Sequence, residues 1–140
     1  NDPQTYHFEM GKGITLRDGK DITIVATGLM VAEAIEAGKM LEEKGIDARI
    51  INIHTIKPLD EQLVCKAAQE TGKIITVEEH SVIGGLGDAV CAAVNAGSNG
   101  CQVVKMGVHD VYGHSGPGGD LITEFGLRAA NIVEEALKLL

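Results

Sequence analysis

The chain has 140 residues, of which 44% are hydrophobic and 23% are charged; this composition suits one folded domain and excludes intrinsic disorder. The formal net charge is −8 and no basic cluster is present, which excludes the electrostatic pattern of a nucleic-acid-binding protein. Aromatic residues make up only 3% of the chain, so an aliphatic core is expected.

The first residue, the cysteines and the longest apolar stretch indicate what kind of chain this is and where it is located. The chain begins at Asn1 and not at Met, so we expect it to be trimmed or to be part of something longer. We interpret residues 1–140 as a single domain, with Asn1–Met10 as a weakly structured lead-in. The three cysteines form no C-x-x-C pair, which favours buried, reduced thiols and a cytoplasmic location. The longest apolar stretch, Ile22–Ala32, is too short to span a membrane.

Five short runs rich in β-branched residues alternate with segments of helical periodicity. The runs predict strands at Ile14–Arg17, Ile22–Ala26, Ala48–Ile53, Ile74–Val77 and Cys101–Met106. The helical segments are Val31–Leu41, which Gly45 would end, the stretch from the cap Asp60 to Gly72, Ala89–Val94 and Ile132–Leu140. Repeated strand–helix–strand units predict an α/β fold, in the form of a three-layer α/β/α sandwich with parallel strands.

The turn after the first strand gives a conflicting signal. Asp18-Gly19 lies between two strand-like runs and is a hairpin signature, which taken alone pairs strand one antiparallel with strand two.

Candidate ligand-binding residues follow the strands, because ligands of open parallel sheets collect beyond the carboxyl ends of the strands. Glu78 and His80 are expected to share one face of the fourth strand, while Glu79 points to the other. The turn Gly84–Gly87 opens a helix, so its N–H groups could bind an anion, although the two preceding glutamates would repel phosphate. The turn therefore has two interpretations: close helix–sheet packing, or contact with a ligand or partner.

No complete catalytic set stands out in the sequence. The histidines show no metal-ligand spacing, and neither Ser81 nor Ser115 lies in a G-x-S-x-G motif, so neither a metal centre nor a hydrolase site is predicted. The segment Tyr112–Gly119 holds four glycines and is interpreted as an exposed loop at an interface.

A set of motifs, taken in order, resembles the C-terminal domain of the transketolase family over essentially the whole chain. The amino-acid sequence around His54–Asp60 and Val77–Gly87 is most similar to that of transketolases encoded as two separate halves. The motifs are Gly11-Lys12-Gly13, Asp21–Gly28, His54–Asp60, Thr76–His80, Gly84–Gly87, Ser115-Gly116 and Phe125-Gly126-Leu127.

The resemblance implies a mixed five-stranded sheet in the order 1-3-2-4-5, with strand one antiparallel at an edge. This order replaces the hairpin suggested by Asp18-Gly19 and places the topological switch between strands two and four. No catalytic, cofactor-binding or metal-binding residue is expected in this domain. The candidate crevice or interface residues are Thr27, Gly28, Glu79, His80, Gly84, Gly85, Gly87 and His114.

The resemblance also implies a role within a larger enzyme of the pentose phosphate pathway. A transketolase uses thiamine diphosphate and Mg²⁺ to move a two-carbon ketol unit between sugar phosphates, and in the family the preceding pyrimidine- and diphosphate-binding domains or subunit hold these groups. This domain would then support packing and subunit association, in a homodimer without nucleic acid or membrane partners. The isolated chain would be inactive.

Two alternatives to a transketolase remain open from the sequence. The chain could be an autonomous regulatory module that binds a small anion or a nucleotide. Within the family, it could be the C-terminal domain of a 2-oxoacid dehydrogenase beta subunit or of 1-deoxyxylulose-5-phosphate synthase.

Overall fold

Apolar β-branched runs build the centre of the molecule, and helices with one apolar face cover both sides of it. A computed structural model describes residues 12–54, 59–81, 85–97, 100–108 and 128–140. The strands are β1 (Ile14–Arg17), β2 (Ile22–Ala26), β3 (Ala48–Asn52), β4 (Lys73–Ser81) and β5 (Gln102–Val108). The helices in these ranges are α1 (Met30–Glu43), α2 (Glu61–Thr71), α3 (Leu86–Gly97) and α4 (Ala129–Leu139).

The five strands form one mixed sheet in the order β1-β3-β2-β4-β5. β1 is antiparallel to β3, and the other neighbouring strands are parallel. The order and the direction of β1 confirm the fold that the resemblance implied. β2 is the central strand, and all of Ile22–Ala26 is buried, as expected of a strand covered on both faces.

The hairpin suggested by Asp18-Gly19 is wrong, because β1 and β2 lie on opposite sides of β3. The connection between them crosses the start of β3 at close range. A Cβ atom on Gly19 would lie 2.4 Å from the carbonyl carbon of Ala48, so only glycine fits this crossing. The Arg49 Nε–H donates to the Gly19 carbonyl at 3.0 Å and holds the turn in place.

Two hydrophobic clusters lie on opposite faces of the sheet. Neighbouring residues of one strand belong to different clusters, because successive side chains of a strand point to opposite faces. Ile24 belongs to the cluster under α1 and α4, and Val25 belongs to the cluster under α2 and α3. Each large aliphatic side chain buried in this way contributes about 1.5–3 kcal/mol to the free energy of folding.

The ends of α2 match the residues predicted from the sequence. The Asp60 carboxylate accepts a hydrogen bond from the Leu63 N–H at 3.2 Å, and Gly72 ends the helix with a φ of 72°. The Gly72 N–H donates to the Ala68 carbonyl at 2.9 Å, which satisfies one of the last carbonyls of the helix.

β4 runs beyond the predicted Ile74–Val77 into a polar sequence. Its pairing with β5 continues to Ser81, opposite Val108, with a register shift after Val77. The strand therefore carries two glutamates and a histidine to its carboxyl end, where the crevice was predicted.

The three cysteines are free, as predicted, but each is partly exposed, so the prediction of buried thiols is wrong. Cys65 shows the reason: it packs at the margin of the cluster between α2 and α3, where its Sγ is 3.4 Å from the Ala93 carbonyl of α3.

Within the described ranges, no helix combines the length and the apolar character needed to cross a membrane.

Candidate functional site

Of the residues predicted to line a crevice, Thr27, Gly28 and Glu79 lie at the carboxyl ends of β2 and β4, which are parallel neighbours in the sheet. α1 follows β2 and covers one face, whereas α3 follows β4 and covers the other. The helices therefore change faces between these two strands, at the kind of position where open α/β sheets bind ligands. The Thr27 N–H donates to the Val77 carbonyl at 3.4 Å and ties the two strand ends together.

Glu79 connects the end of β4 to the start of α1. Its Oε1 accepts a hydrogen bond from the Leu29 N–H at 3.0 Å. Gly28 has a φ of 63°, which favours glycine, and a Cβ atom at this position would lie 2.4 Å from the same carboxylate oxygen. The structure thus brings Thr27, Gly28 and Glu79 together at the carboxyl edge of the sheet.

Glu78 is directed to the other face of the sheet and is 1% exposed. Its Oε1 accepts from the Leu86 N–H at 2.8 Å, and its Oε2 accepts from the Gly87 N–H at 2.9 Å. A carboxylate at a helix N-terminus is stabilised by these N–H groups and by the helix dipole. The anion-binding position of the glycine-rich turn is therefore occupied by the protein's own side chain.

The two adjacent glutamates confirm the predicted alternation along β4. Glu78 binds the first turn of α3 on one face, and Glu79 binds the start of α1 on the other. The two hydrogen bonds between Glu78 and the turn are not predicted from the sequence. The sequence indicates only that both glutamates would repel a phosphate at the turn. The available signal was an acidic residue directly after a buried strand and shortly before a helix start, since a buried carboxylate needs hydrogen-bond donors close by.

Gly87 allows α3 to approach the sheet closely. A Cβ atom on Gly87 would lie 2.7 Å from the Lys105 side chain and 3.0 Å from the Thr76 hydroxyl. The Lys105 ammonium donates to Asp88 at 2.9 Å, and this hydrogen bond is the main cause of the raised pKa of Lys105. Of the two interpretations of the turn, close helix–sheet packing is therefore the one seen at Gly87.

The other two helices also begin at carboxylates. Glu33 of α1 accepts from the Ala129 N–H of α4 at 2.8 Å. Asp60 caps α2 and, through its second oxygen, accepts from the Gly13 N–H at 2.9 Å. All four described helices thus have an acidic side chain of this chain at the N-terminus, where each such contact contributes typically about 0.3–1 kcal/mol.

Several predicted residues cannot be placed in the crevice. Gly84 and His114 lie outside the described residues, as do Asn1–Met10 and the loop Tyr112–Gly119. His80 contributes its backbone to β4, and Gly85 directly precedes α3. In the part of the chain that is described, no three His, Cys, Asp or Glu side chains form a group that could hold a metal ion.

A separate groove of about 320 Å³ lies between β1 and α2, away from the crevice. Arg49 lines the groove and is 2.7 Å from Glu70 and 3.2 Å from Asp18. Carboxylates of the chain already pair with this guanidinium. Arg49 therefore does not give the groove an unpaired positive charge that could bind an anionic ligand.

Comparison with known proteins gives one consistent result. The family described as "Transketolase, C-terminal domain" matches residues 11–132. The 6-deoxy-6-sulfo-D-fructose transketolase subunit SqwH of Clostridium sp. (strain MSTE9) is 46% identical over 96% of this chain, which spans 42% of that protein. The 1-deoxy-D-xylulose-5-phosphate synthase of Heliobacterium modesticaldum is 42% identical over 93% of this chain, which spans 20% of it.

A solved structure agrees with these sequence matches. It is described as a split gene transketolase, inactive beta4 tetramer, and it superposes with a TM-score of 0.86 and 44% identity over 98% of this chain. This chain covers 44% of that structure, and thus spans less than half the length of each of these relatives. The topology, the ordered motifs and the matches agree: the chain belongs to the family of transketolase C-terminal domains.

Proposed function

We propose that this chain is the C-terminal domain of a thiamine-diphosphate-dependent transketolase, which transfers a two-carbon ketol unit between sugar phosphates. The observation that carries the proposal is the 46% identity to a transketolase subunit over 96% of this chain. The 44% identity to a split gene transketolase structure supports the assignment to transketolases encoded in two halves.

Within such an enzyme, the chain's own contribution is structural. The described residues do not fit a diphosphate with its metal ion, because Glu78 already binds the N–H groups of the glycine-rich turn. The described acidic groups also form no cluster for a divalent ion. We therefore infer that the preceding domains or subunit hold thiamine diphosphate and Mg²⁺, and that this domain supports packing and subunit association.

We also infer that the complete enzyme is a cytoplasmic homodimer, in which each protomer comprises this domain and the preceding domains or subunit. The glycine-rich loop Tyr112–Gly119 and the family pattern support this inference from the sequence side. Sedimentation velocity of the complete enzyme checks the stoichiometry, and a monomer at micromolar concentration contradicts it.

Binding of the cofactor tests the division of roles. Isothermal titration of this chain with thiamine diphosphate and MgCl₂ is expected to show only heats of dilution, while the same titration of the complete enzyme shows binding. Saturable binding by the chain alone would contradict the proposed role.

A second candidate reaction is the formation of 1-deoxy-D-xylulose 5-phosphate. The 42% identity to the Heliobacterium modesticaldum synthase favours it. Assays of the complete enzyme for ketol transfer and for this synthesis, run side by side, separate the two. Synthesis without ketol transfer would replace the first proposal by the second.

A further inference from the structure

The start of α1 presents an apolar side chain to solvent at the carboxyl edge of the sheet. Leu29 is 67% exposed, more than Leu16, Ile35, Leu137 and Leu140, the other exposed large apolar side chains among the described residues. Ala32 is exposed one turn further along the same helix. We call the surface formed by Gly28, Leu29, Ala32 and Glu79 the Leu29 corner.

The backbone of the Leu29 corner is fixed from two sides. The Leu29 N–H donates to Glu79 at 3.0 Å, and the Met30 N–H donates to the Thr27 carbonyl at 3.2 Å. The Met30 side chain is fully buried, so the helix cannot rotate to bury Leu29 in its place. The exposed position of Leu29 is therefore a property of the fold.

The polar groups beside Leu29 already have partners within the chain. Glu79 accepts from the Leu29 N–H, and Glu33 accepts from the Ala129 N–H at 2.8 Å and from Arg128 at 3.2 Å. A partner that covers the corner would bury an apolar side chain without removing these carboxylates from their hydrogen bonds. In an interface of this kind, Leu29 would lie in the buried apolar centre and the paired carboxylates in the polar rim.

The opposite end of the sheet has a different character. Its surface includes Asp18, Lys20, Asp47 and Arg49, and the Asp18 side chain is 87% exposed. Covering these charges would remove them from water, which is costly unless each charge finds a partner. Among the described residues, the Leu29 corner is therefore better suited to docking than the charged residues at the opposite end of the sheet.

We propose that the Leu29 corner is the surface on which the remainder of the enzyme docks, and that Leu29 inserts into an apolar pocket of a preceding domain. This inference rests on the proposed function. The length of the relatives supports the choice of occupant, because this chain spans only 42% of the transketolase subunit and 44% of the split gene structure. The rest of each relative needs a surface to pack against.

The test measures how accessible the corner is in the complete enzyme, meaning this chain with the domains or subunits with which it is produced. Leu29→Cys is compared with Leu137→Cys, a matched control on α4 that replaces an apolar side chain of 46% exposure. Both are labelled with a maleimide, and peptide mass spectrometry separates the new thiols from the native ones. The same protein in denaturant gives the intrinsic rates.

Leu29→Cys is expected to react at least about tenfold more slowly than Leu137→Cys, relative to the denatured rates. Slow labelling at both positions also supports the contact and extends it to α4. Fast labelling of Leu29→Cys overturns the proposal. So does protection that disappears on dilution, because that result assigns the surface to a second copy of the enzyme.

Two further measurements keep the result unambiguous. Hydroxyl-radical footprinting of the wild-type enzyme measures oxidation of Leu29 and Leu137 without any substitution, and oxidation of Leu29 at the level found in the denatured enzyme contradicts docking. A ketol-transfer assay is run on the same preparation. An enzyme that protects Leu29 but lacks ketol transfer refutes the proposed function and leaves the docking surface standing.

Discussion

Thr23 and Thr76 each place a hydroxyl group inside the sheet, but the surroundings of the two hydroxyl groups differ. Both residues are fully buried. The Thr23 hydroxyl is 2.9 Å from that of Thr71. The Thr76 hydroxyl has no hydrogen-bond partner among the described residues. A buried hydroxyl without a partner costs desolvation free energy, whereas one with a partner contributes to stability.

Valine substitutions at these two positions should have opposite effects. Thr76→Val is expected to raise the free energy of unfolding by up to about 1 kcal/mol, because it removes an unpartnered polar group. Thr23→Val, with the same change in shape, is expected to lower it by about 1–2 kcal/mol. Urea denaturation of both variants measures the difference, and equal destabilisation would refute this interpretation of Thr76.

Cys101 is expected to react slowly with alkylating agents at neutral pH. Burial is the main cause that raises the pKa of its thiol above the ordinary value of 9.0, with a smaller contribution from Cys91, while Lys73 opposes the shift. The thiolate is the nucleophile, so the alkylation rate rises with pH as the thiol loses its proton. In the folded chain this rise should occur at a higher pH than in the unfolded chain.

The same shift predicts the sign of the pH dependence of stability. The contribution of Cys101 is fully present below the unfolded-state pKa and is lost as the pH rises through the higher folded-state pKa. Peptide-resolved iodoacetamide labelling between pH 7 and pH 10.5 checks the order of the two rate profiles. A folded profile at lower pH than the unfolded profile would contradict it.

At the scale of elements, the junction between β2 and α1 depends on a glycine. Gly28 and Gly72 have similar positive φ angles, 63° and 72°. A Cβ atom would meet Glu79 at 2.4 Å at Gly28 and nothing within 4 Å at Gly72. Backbone strain is therefore common to both positions, while the steric conflict is specific to Gly28.

Gly28→Ala is expected to destabilise the protein by about 2–4 kcal/mol, because it adds loss of the Glu79 hydrogen bond to the backbone strain. Gly72→Ala should cost only about 1–2 kcal/mol, since strain is its main effect. Thermal and urea denaturation give both values. Equal losses would show that Glu79 moves aside without cost.

The sequence predicted the elements better where a strand is uniformly apolar. β2 has the predicted bounds, because its buried β-branched run ends at polar turn residues. β1 also has the predicted bounds, although it mixes apolar with polar residues. β4 continues through Glu78, Glu79 and His80, which no hydrophobic pattern marks as a strand. The pairing with β5 and the two helix N-termini stabilise that extension, and a local pattern contains neither.

At the scale of the whole molecule, the sequence could place residues at one edge of the sheet but could not predict their contacts. The topological switch follows from the strand order, so Thr27, Gly28 and Glu79 could be placed at one crevice in advance. The partners of Glu78 and Glu79 depend on the path of the backbone at the start of α3 and α1, and spacing alone does not fix that path.

Occupied helix N-termini predict how the molecule responds to anions. Glu78→Ala leaves the Leu86 and Gly87 N–H groups buried without an acceptor, and is expected to lower stability by about 2–4 kcal/mol. Formate should then restore part of the melting temperature, because it can replace the lost carboxylate. The wild type should not respond to millimolar formate, phosphate or nucleotides.

Differential scanning fluorimetry with each anion, at matched ionic strength set with NaCl, measures this response. Glu79→Ala is the control, since Glu79 makes one hydrogen bond at an exposed position and its loss should be smaller. Specific stabilisation of the wild type by phosphate or a nucleotide would revive the alternative of an anion-binding module.

The carboxylates at the helix N-termini also constrain the order in which the chain can fold. Glu33 and Ala129 are separated by 96 positions, and Glu79 and Leu29 by 50. Neither α4 nor α1 can gain its capping carboxylate until distant segments meet, and closing such loops is entropically unfavourable. Because β4 supplies the caps of helices on both faces, both layers should become stable in one cooperative step when that strand joins the sheet.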